Sequence, residues 1–433
     1  MTAITFDAIL PALQGVFAEH PMPRPLIVNR ALDGRVRLIV DARHEDDFLM
    51  SSSLVALSAT LFEALGPHAY PSERAFLFEA DIDGFLQGQR AFALDGCAGV
   101  WIVDRLANEG DWSIVARVSD AVPRVVFYSI KGGVGRSTAL AATAWALAER
   151  GKRVLVLDMD LESPGLSSSL LPEDRRPSFG ITDWLVEDLV DNSDVVFDDM
   201  VAASDLSRNG DIRVVPAHGR DPGEYIAKLG RVWMPKIGAD GQREAWSNRL
   251  ARMTRQLEDR WKPDVTLIDS RAGIDEVASA CITDLGASTV LMFCLEGEQT
   301  WSGYRILLRH WLKTGNVREI RERLQVVGAM LPEMDGAEYF ERLKENAWTL
   351  FTDAVYDAVP AGVIAADTDP WSFDSNDESA PHFPWAVRWH RGFAALQSLH
   401  GRLKGVDGAE VQALFGPVID GIASITEPQR TPR

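Results

Sequence analysis

Between residues 124 and 150 the chain reads RVVFYSI, then KGGVGR, then STALAATAWALAER. A strand-forming apolar run, a glycine cluster and a helix-forming run follow one another with nothing in between. Gly132, Gly133 and Gly135 let the backbone take left-handed angles and approach a bound group that a Cβ would keep away. The N–H groups of the loop, with the positive end of the next helix, then surround an anion. Gly132, Gly133, Val134, Gly135, Arg136, Ser137 and Thr138 are therefore the candidate phosphate cradle. Ser137 stands where such a loop places a hydroxyl on magnesium, and Thr138 reaches a neighbouring phosphate. The general pattern G-x-x-x-x-G-K-[ST] is missed twice, by Ile130 at its first glycine and by Arg136 at its lysine.

From 124 onward apolar strands alternate with helical stretches. Strands are expected over 124–130, 153–158, 212–216, 264–270, 288–294 and 324–330, and helices over 137–150, 244–261 and 302–315. That rhythm predicts an α/β fold, a mostly parallel, doubly wound sheet with helices on both faces. At 433 residues the chain exceeds one ordinary core. Residues 1–118 read as a separate small α+β domain for interaction or regulation. It has a helix over 5–19, a strand over 35–43, a helix over SSLVALSATLFEAL and a strand over AFLFEADI. GVWIVDRL and DWSIVARV, flanking ANEGD, read as a hairpin. SDAVPR (119–124) is the expected boundary, residues 124–400 the main domain, and 401–433 a tail helix and extension. The aromatic run HFPWAVRWHRGF, with Phe383, Trp385, Trp389 and Phe393, reads as core or as packing against the main domain.

The formal net charge of -19 opposes nonspecific attraction to nucleic acid or to anionic membranes. Over 304–324, however, Arg305, Arg309, Lys313, Arg318, Arg321 and Arg323 outnumber Glu319 and Glu322, which suits either a solvated helix face or a docking patch. No apolar run is long enough to span a membrane. The first twenty residues lack a signal peptide's basic start, and Cys97, Cys281 and Cys294 have no metal-ligand spacing, so a cytoplasmic setting is expected.

KGGVGRST resembles the deviant Walker A motif, KGGxGK[ST], of the ParA/MinD-type P-loop ATPases. Three further landmarks follow in the family's order. KRVLVLDMDLESPGL (152–166) resembles the strand ending in D-x-D, and PDVTLIDSRAGIDE (263–276) resembles the Walker B strand. ASTVLMFCLEGEQTWSGYRIL (287–307) resembles the next strand and helix. The likeness covers roughly 124–330, with 331–400 as its extension.

The resemblance implies ATP and Mg2+ as cofactors. It implies that Lys131 reaches across a dimer to the partner's phosphates and that Asp160 orients the attacking water. Asp269, the Walker B acid, holds magnesium opposite Ser137, and Asp158 supports the metal or the loop. Lys131, Arg136 and Asp160 are thus the catalytic candidates, and Ser137, Asp158 and Asp269 the metal candidates. Arginine at 136 keeps the charge and binds phosphate oxygens bidentately, but its planar fork is bulkier than lysine. Arg271, where relatives often have proline, either aids the reaction or pairs with Asp275. The expected base contact is DAVPAG (357–362), because Ala329 and Met330 replace the family's asparagine.

Function on this reading is a slowly hydrolysing ATPase switch, a homodimer in its ATP state that binds an unidentified partner protein. By association alone, such a chain is expected in a bacterial operon such as one for antiviral defence. The alternatives are a nucleotide-sensing scaffold with little turnover and a partition or positioning ATPase acting on DNA or envelope cargo.

Overall fold

The computed structural model describes residues 4–20, 22–46, 52–87, 91–105, 110, 112–238, 240–358, 370–394 and 399–427. The chain divides into two compact units, Met1–Asn108 and Glu109–Arg433.

In the first unit, β1 (Leu26–Arg30) pairs antiparallel with β2 (Val36–Asp41) and parallel with β5 (Val100–Asp104). β3 (Phe76–Glu79) and β4 (Ala91–Ala93) complete a five-stranded mixed sheet of order β3-β2-β1-β5-β4. Leu26, Ile27 and Val28 are all fully buried, because the central strand is covered on both sides. Leu26 and Val28 meet the helices Ile9–Glu19 and Ser52–Leu65, while Ile27 packs with Ile39, Ile82 and Val103. Arg30 and Asp104 form an ion pair between adjacent parallel strands. The expected hairpin partner DWSIVARV is not a strand. Trp112 is buried against Tyr128 and Trp311, and Ala116 donates its N–H to the Thr283 carbonyl at 2.7 Å. The chain from 112 to 123 therefore belongs with the second unit, and the division falls ahead of the proline-marked boundary.

The second unit is built on an eight-stranded sheet of order β15-β14-β13-β6-β12-β7-β9-β8. Its strands are β6 (Arg124–Ser129), β7 (Arg153–Asp158), β8 (Ala202–Ala203), β9 (Asp211–Val215), β12 (Val265–Asp269), β13 (Thr289–Cys294), β14 (Leu324–Leu331) and β15 (Trp385–Arg388). A separate ribbon joins β10 (Lys236–Ile237) to β11 (Arg243–Glu244). In the large sheet only the β8–β9 pair is antiparallel. The other strands carry their C-terminal ends to one edge, and β6 sits where the order reverses, with β12 on one side and β13 on the other. Ligand crevices in open parallel sheets form at that edge and at that reversal.

Every residue of β6 and β12 is buried, as strands covered on both faces require. One face packs against the helices Trp246–Trp261, Glu298–Thr314 and Gly336–Ala354 around Trp184, Trp246 and Trp311. The other carries the helix Arg136–Glu149, hereafter the loop helix, in which Ala139, Ala141, Ala142, Ala144, Ala146 and Ala148 are all buried. Alanine keeps this helix close to the sheet and lets a second helix, Gly408–Ile425, pack on it through Val411, Val418, Ile419 and Ile422. Arg150 ties the pair with hydrogen bonds to Asp420 at 2.8 Å and Gln412 at 3.0 Å. The expected tail helix is therefore part of the core of the second unit, despite Pro417 inside it.

The segment 370–384 leads into β15. Tyr356, Trp371, Phe373 and His382 form an aromatic cluster, with the Tyr356 hydroxyl 2.5 Å from His382 Nδ1. Gln325 Nε2 donates to the Phe383 carbonyl at 2.8 Å, fixing the segment along β14.

Candidate nucleotide site

The strand ends set the charged wall of the site. Because β6, β12 and β7 are parallel neighbours, Ser129, Asp269 and Asp158 emerge at the same sheet edge, with Asp269 directly beside Asp158 in the register. The loop after β6 turns through Gly133 and Gly135, at φ of 74° and 80°, and the loop helix begins at Arg136. A Cβ on Gly133 would meet nothing within 4 Å, so the left-handed backbone, not crowding, sets the requirement for glycine there. Ile130 packs beneath Gly303, where a Cβ would come within 2.4 Å of its Cγ2. The missing first glycine of the general pattern is thus matched by a glycine elsewhere.

Arg136 points inward. Its side chain is only 7% exposed, and its Nε donates to Asp269 Oδ1 at 2.9 Å. One terminal nitrogen donates to Ser129 Oγ at 2.9 Å, and the other lies 3.4 Å from Asp160 Oδ2. Ser137 Oγ donates to the second Asp269 oxygen at 2.5 Å. The structure thus gathers Arg136, Ser137, Asp160 and Asp269 into one hydrogen-bonded group. Asp158 lies behind it, fully buried, accepting from the Ser167 N–H at 3.4 Å and with its Oδ1 unpartnered. Burial, reinforced by the neighbouring Asp269 carboxylate, pushes the Asp158 carboxyl up to about 8. Burial also raises the Asp160 carboxyl, with the Arg136 guanidinium pulling against it.

Lys131 stands apart from this group, exposed at the start of the loop, its carbonyl accepting from Ser129 Oγ at 2.9 Å. Arg271 bridges Asp275 at 3.2 Å and Glu162 at 2.5 Å, so its pairing includes a residue of the loop after β7. No cluster of three His, Cys, Asp or Glu side chains among the described residues is placed to hold a metal by itself. The unpartnered Asp160 oxygen and the hydroxyl–carboxylate pair Ser137–Asp269 are nonetheless hard oxygen donors of the kind magnesium takes beside a phosphate. These residues fit that ion.

Beside the loop lies a cavity of about 370 Å³. Gly133 to Thr138 form its polar wall, and Met330, Val387, Arg388, Trp389, His390, Phe393 and Phe415 the opposite one. Met330 adopts φ of 51°, unusual for a side chain of its size, and comes within 3.7 Å of where a Gly135 Cβ would lie. Trp389 is held by its backbone N–H, which donates to the Leu331 carbonyl at 2.8 Å where the β14–β15 pairing shifts register. Phe393 stacks edge-on against Phe415 at 5.4 Å. Sequence reasoning assigns Trp389 and Phe393 to core packing and notes Met330 only as a missing asparagine. The signal that could have found this wall is the aromatic spacing of HFPWAVRWHRGF, close after the strand expected over 324–330 and its extension. The segment expected to contact a base, 357–362, lies outside the described residues from 359 on.

A polar, glycine-rich loop opposed by a mostly apolar, aromatic wall that also carries Arg388 and His390 is an arrangement that suits a nucleotide. Residues 125–372, more than half of the chain, match the family model of the CobQ/CobB/MinD/ParA nucleotide binding domain. The chain belongs to this family. Its fold is that of the ParA/MinD-type P-loop proteins, an α/β sheet with an added N-terminal unit. Among curated proteins, an iron–sulfur cluster carrier protein of Methanocaldococcus jannaschii is 37% identical over 76 residues, 18% of this chain and 26% of that relative. The match thus spans about a quarter of the relative's length. Among solved structures, the ParA family ATPase of Chlorobium tepidum is 15% identical, covering 70% of this chain and 99% of that one, with a TM-score of 0.43. An ATP complex of Cyanothece McdA is 16% identical, covering 73% and 100%, with a TM-score of 0.40.

Proposed function

We propose that this ParA/MinD-family chain is an ATP-dependent switch that binds ATP with Mg2+ and hydrolyses it slowly. One observation carries the reading: Arg136, Ser137, Asp160 and Asp269 converge by hydrogen bonds at the mouth of a glycine loop that opens onto an aromatic-walled cavity. In this reading Gly132 to Thr138 hold the phosphates, and Ser137 and Asp269 hold magnesium with Asp158 behind them. Asp160 orients water, and the base lies between Met330, Trp389 and Phe393. Lys131, exposed and free of the acid group, is available to a second copy's phosphates, so the ATP state is a homodimer. Membership of the family supports an ATPase of this kind. The switch, its setting in the cytoplasm and its partner protein are part of the proposal, as is an interaction role for the first unit. No helix among the described residues is long and apolar enough to cross a membrane.

Phosphate release with Mg-ATP, measured beside molar mass in solution, tests it. The expected result is slow release and ATP-dependent dimers, with release lost and the dimer trapped in Asp160→Ala. An unchanged oligomer in every nucleotide state sinks the switch.

A second reading, a nucleotide sensor with little turnover, draws on the three partners that hold Arg136 away from the cradle. Tight ATP binding with no phosphate release would select it. Nucleic acid as cargo is disfavoured by the net charge of -19. The basic stretch also spends part of its charge internally, since Arg318 and Arg321 pair with Asp357 and Arg323 donates to the Ala116 carbonyl.

A further inference from the structure

We propose that Arg136 is a latch on the cation site. It acts as built-in counter-ion to Asp269 and Asp160 until phosphate draws it away, so that a divalent cation enters only after nucleotide. The inference rests on the reading of the loop as a nucleotide-phosphate site.

Both oxygens of Asp269 are taken, one by Arg136 Nε at 2.9 Å and one by Ser137 Oγ at 2.5 Å. While those bonds hold, each oxygen of the carboxylate that would face magnesium already accepts one donor, and the guanidinium's positive charge stands beside it. The guanidinium also reaches Ser129 Oγ and Asp160 Oδ2, so it joins groups that follow three adjacent strands, β6, β12 and β7. Only a planar fork presents separate nitrogens to three such directions. A lysine ammonium is one point on a linear stem and would leave at least one of these partners. Arginine at this position therefore does something that lysine does not: it gathers the acids.

Ion exchange then has an order. Two cations cannot share so small and buried a site, and removing Arg136 without replacement leaves the Asp160 and Asp269 carboxylates crowded and uncompensated. A divalent ion arriving alone must expel a buried cation whose two acidic partners, Asp269 and Asp160, are the groups the ion seeks. Phosphate changes this, because it accepts the guanidinium bidentately just outside the acid group and frees Asp269. Swinging from carboxylate to phosphate keeps Arg136 paired at both ends of its movement.

The test is Mn2+ titration of the full chain without nucleotide, read by electron paramagnetic resonance. Wild type is compared with Arg136→Gln, with Arg136→Gln carrying Asp269→Asn, and with Ser129→Ala. Arg136→Gln is expected to bind Mn2+ at least about ten-fold more tightly than wild type, and adding Asp269→Asn should abolish that gain. Ser129→Ala removes one anchor and no charge, and is expected to gain about two- to three-fold. Equal affinity in wild type and Arg136→Gln overturns the latch. Where Arg136→Gln fails to fold by circular dichroism, Ser129→Ala decides alone, and an unchanged affinity overturns it. Titration of wild type with a fluorescent ADP analogue separates the two failures. No ADP binding removes the nucleotide reading and the release step with it; ADP binding with coincident Mn2+ affinities removes only the latch.

Discussion

The two walls of the cavity are built on different principles. The loop wall is polar, and the side chains of Arg136 and Ser137 in it are tied to Ser129, Asp160 and Asp269 within 3.4 Å. The opposite wall is mostly apolar and aromatic, with Arg388 and His390 among its residues, held by backbone pairing between β14 and β15 and by packing against Phe415. A charged wall is intolerant, because removing one partner leaves a buried charge uncompensated. An apolar wall is forgiving, because its contribution scales with area and shape. Substitutions should therefore divide by wall.

The largest effect is expected from Asp269→Asn, which weakens the acceptor of both Arg136 and Ser137. Phosphate release should fall by about 10²- to 10³-fold, the usual scale for one preorganised electrostatic group. Next comes Gly135→Ala, where the left-handed φ of 80° disfavours any Cβ. A penalty of about 1–2 kcal/mol predicts roughly ten-fold weaker ATP binding by fluorescence titration.

On the other wall, Trp389→Ala should weaken ATP by about ten-fold through lost base contact, while leaving inhibition by inorganic pyrophosphate unchanged. If pyrophosphate weakens equally, the division between walls is broken. The smallest effect concerns the support behind β15. Burial lowers the His382 imidazolium below its ordinary range, and the nearby Lys344 adds to this against Asp377 and the Ser375 carbonyl. The folded form thus binds fewer protons than the unfolded one, so the stability from neutral His382 is full above about 6.5 and is lost as pH falls below it. Once corrected for the intrinsic exchange rate, amide protection in 370–388 should fall between pH 7.5 and 5.5 by a few-fold more than elsewhere in the unit. His382→Phe should flatten that dependence.

The difference between the walls also explains what the sequence makes legible. The loop, the D-x-D strand end and the Walker B strand can be placed because their residues stand at short, fixed spacings beside strand ends, where the structure gathers them. The parallel sheet follows from apolar runs such as 124–130 and 264–270. What escapes is long-range. Trp385 to Arg388 form a strand where β14 leaves an edge to pair with. The alternation of Phe383, Trp385, Val387 and Trp389 has a strand's period, but it is short and interrupted by Pro384, so it reads equally as core packing. Trp112 reads as part of a hairpin because its burial partners, Tyr128 and Trp311, are not its neighbours in sequence. Arg136 is legible as a cation at the loop, but its partners are not, since Ser129, Asp160 and Asp269 meet only through the strand order β6-β12-β7.

That Phe415 faces the glycine loop has a consequence for how the pocket comes into being. The groups that line it come from opposite ends of the second unit's chain, so the cavity closes through contacts of very large sequence separation, the slowest kind to form. No locally folded fragment of the loop and its helix would present the aromatic wall. A ligand of this cavity recognises only the assembled unit, and stabilises that unit against unfolding by RT ln(1 + L/Kd), where L is its free concentration. On the proposed reading, nucleotide concentration then sets how stable each copy is as well as which state it occupies.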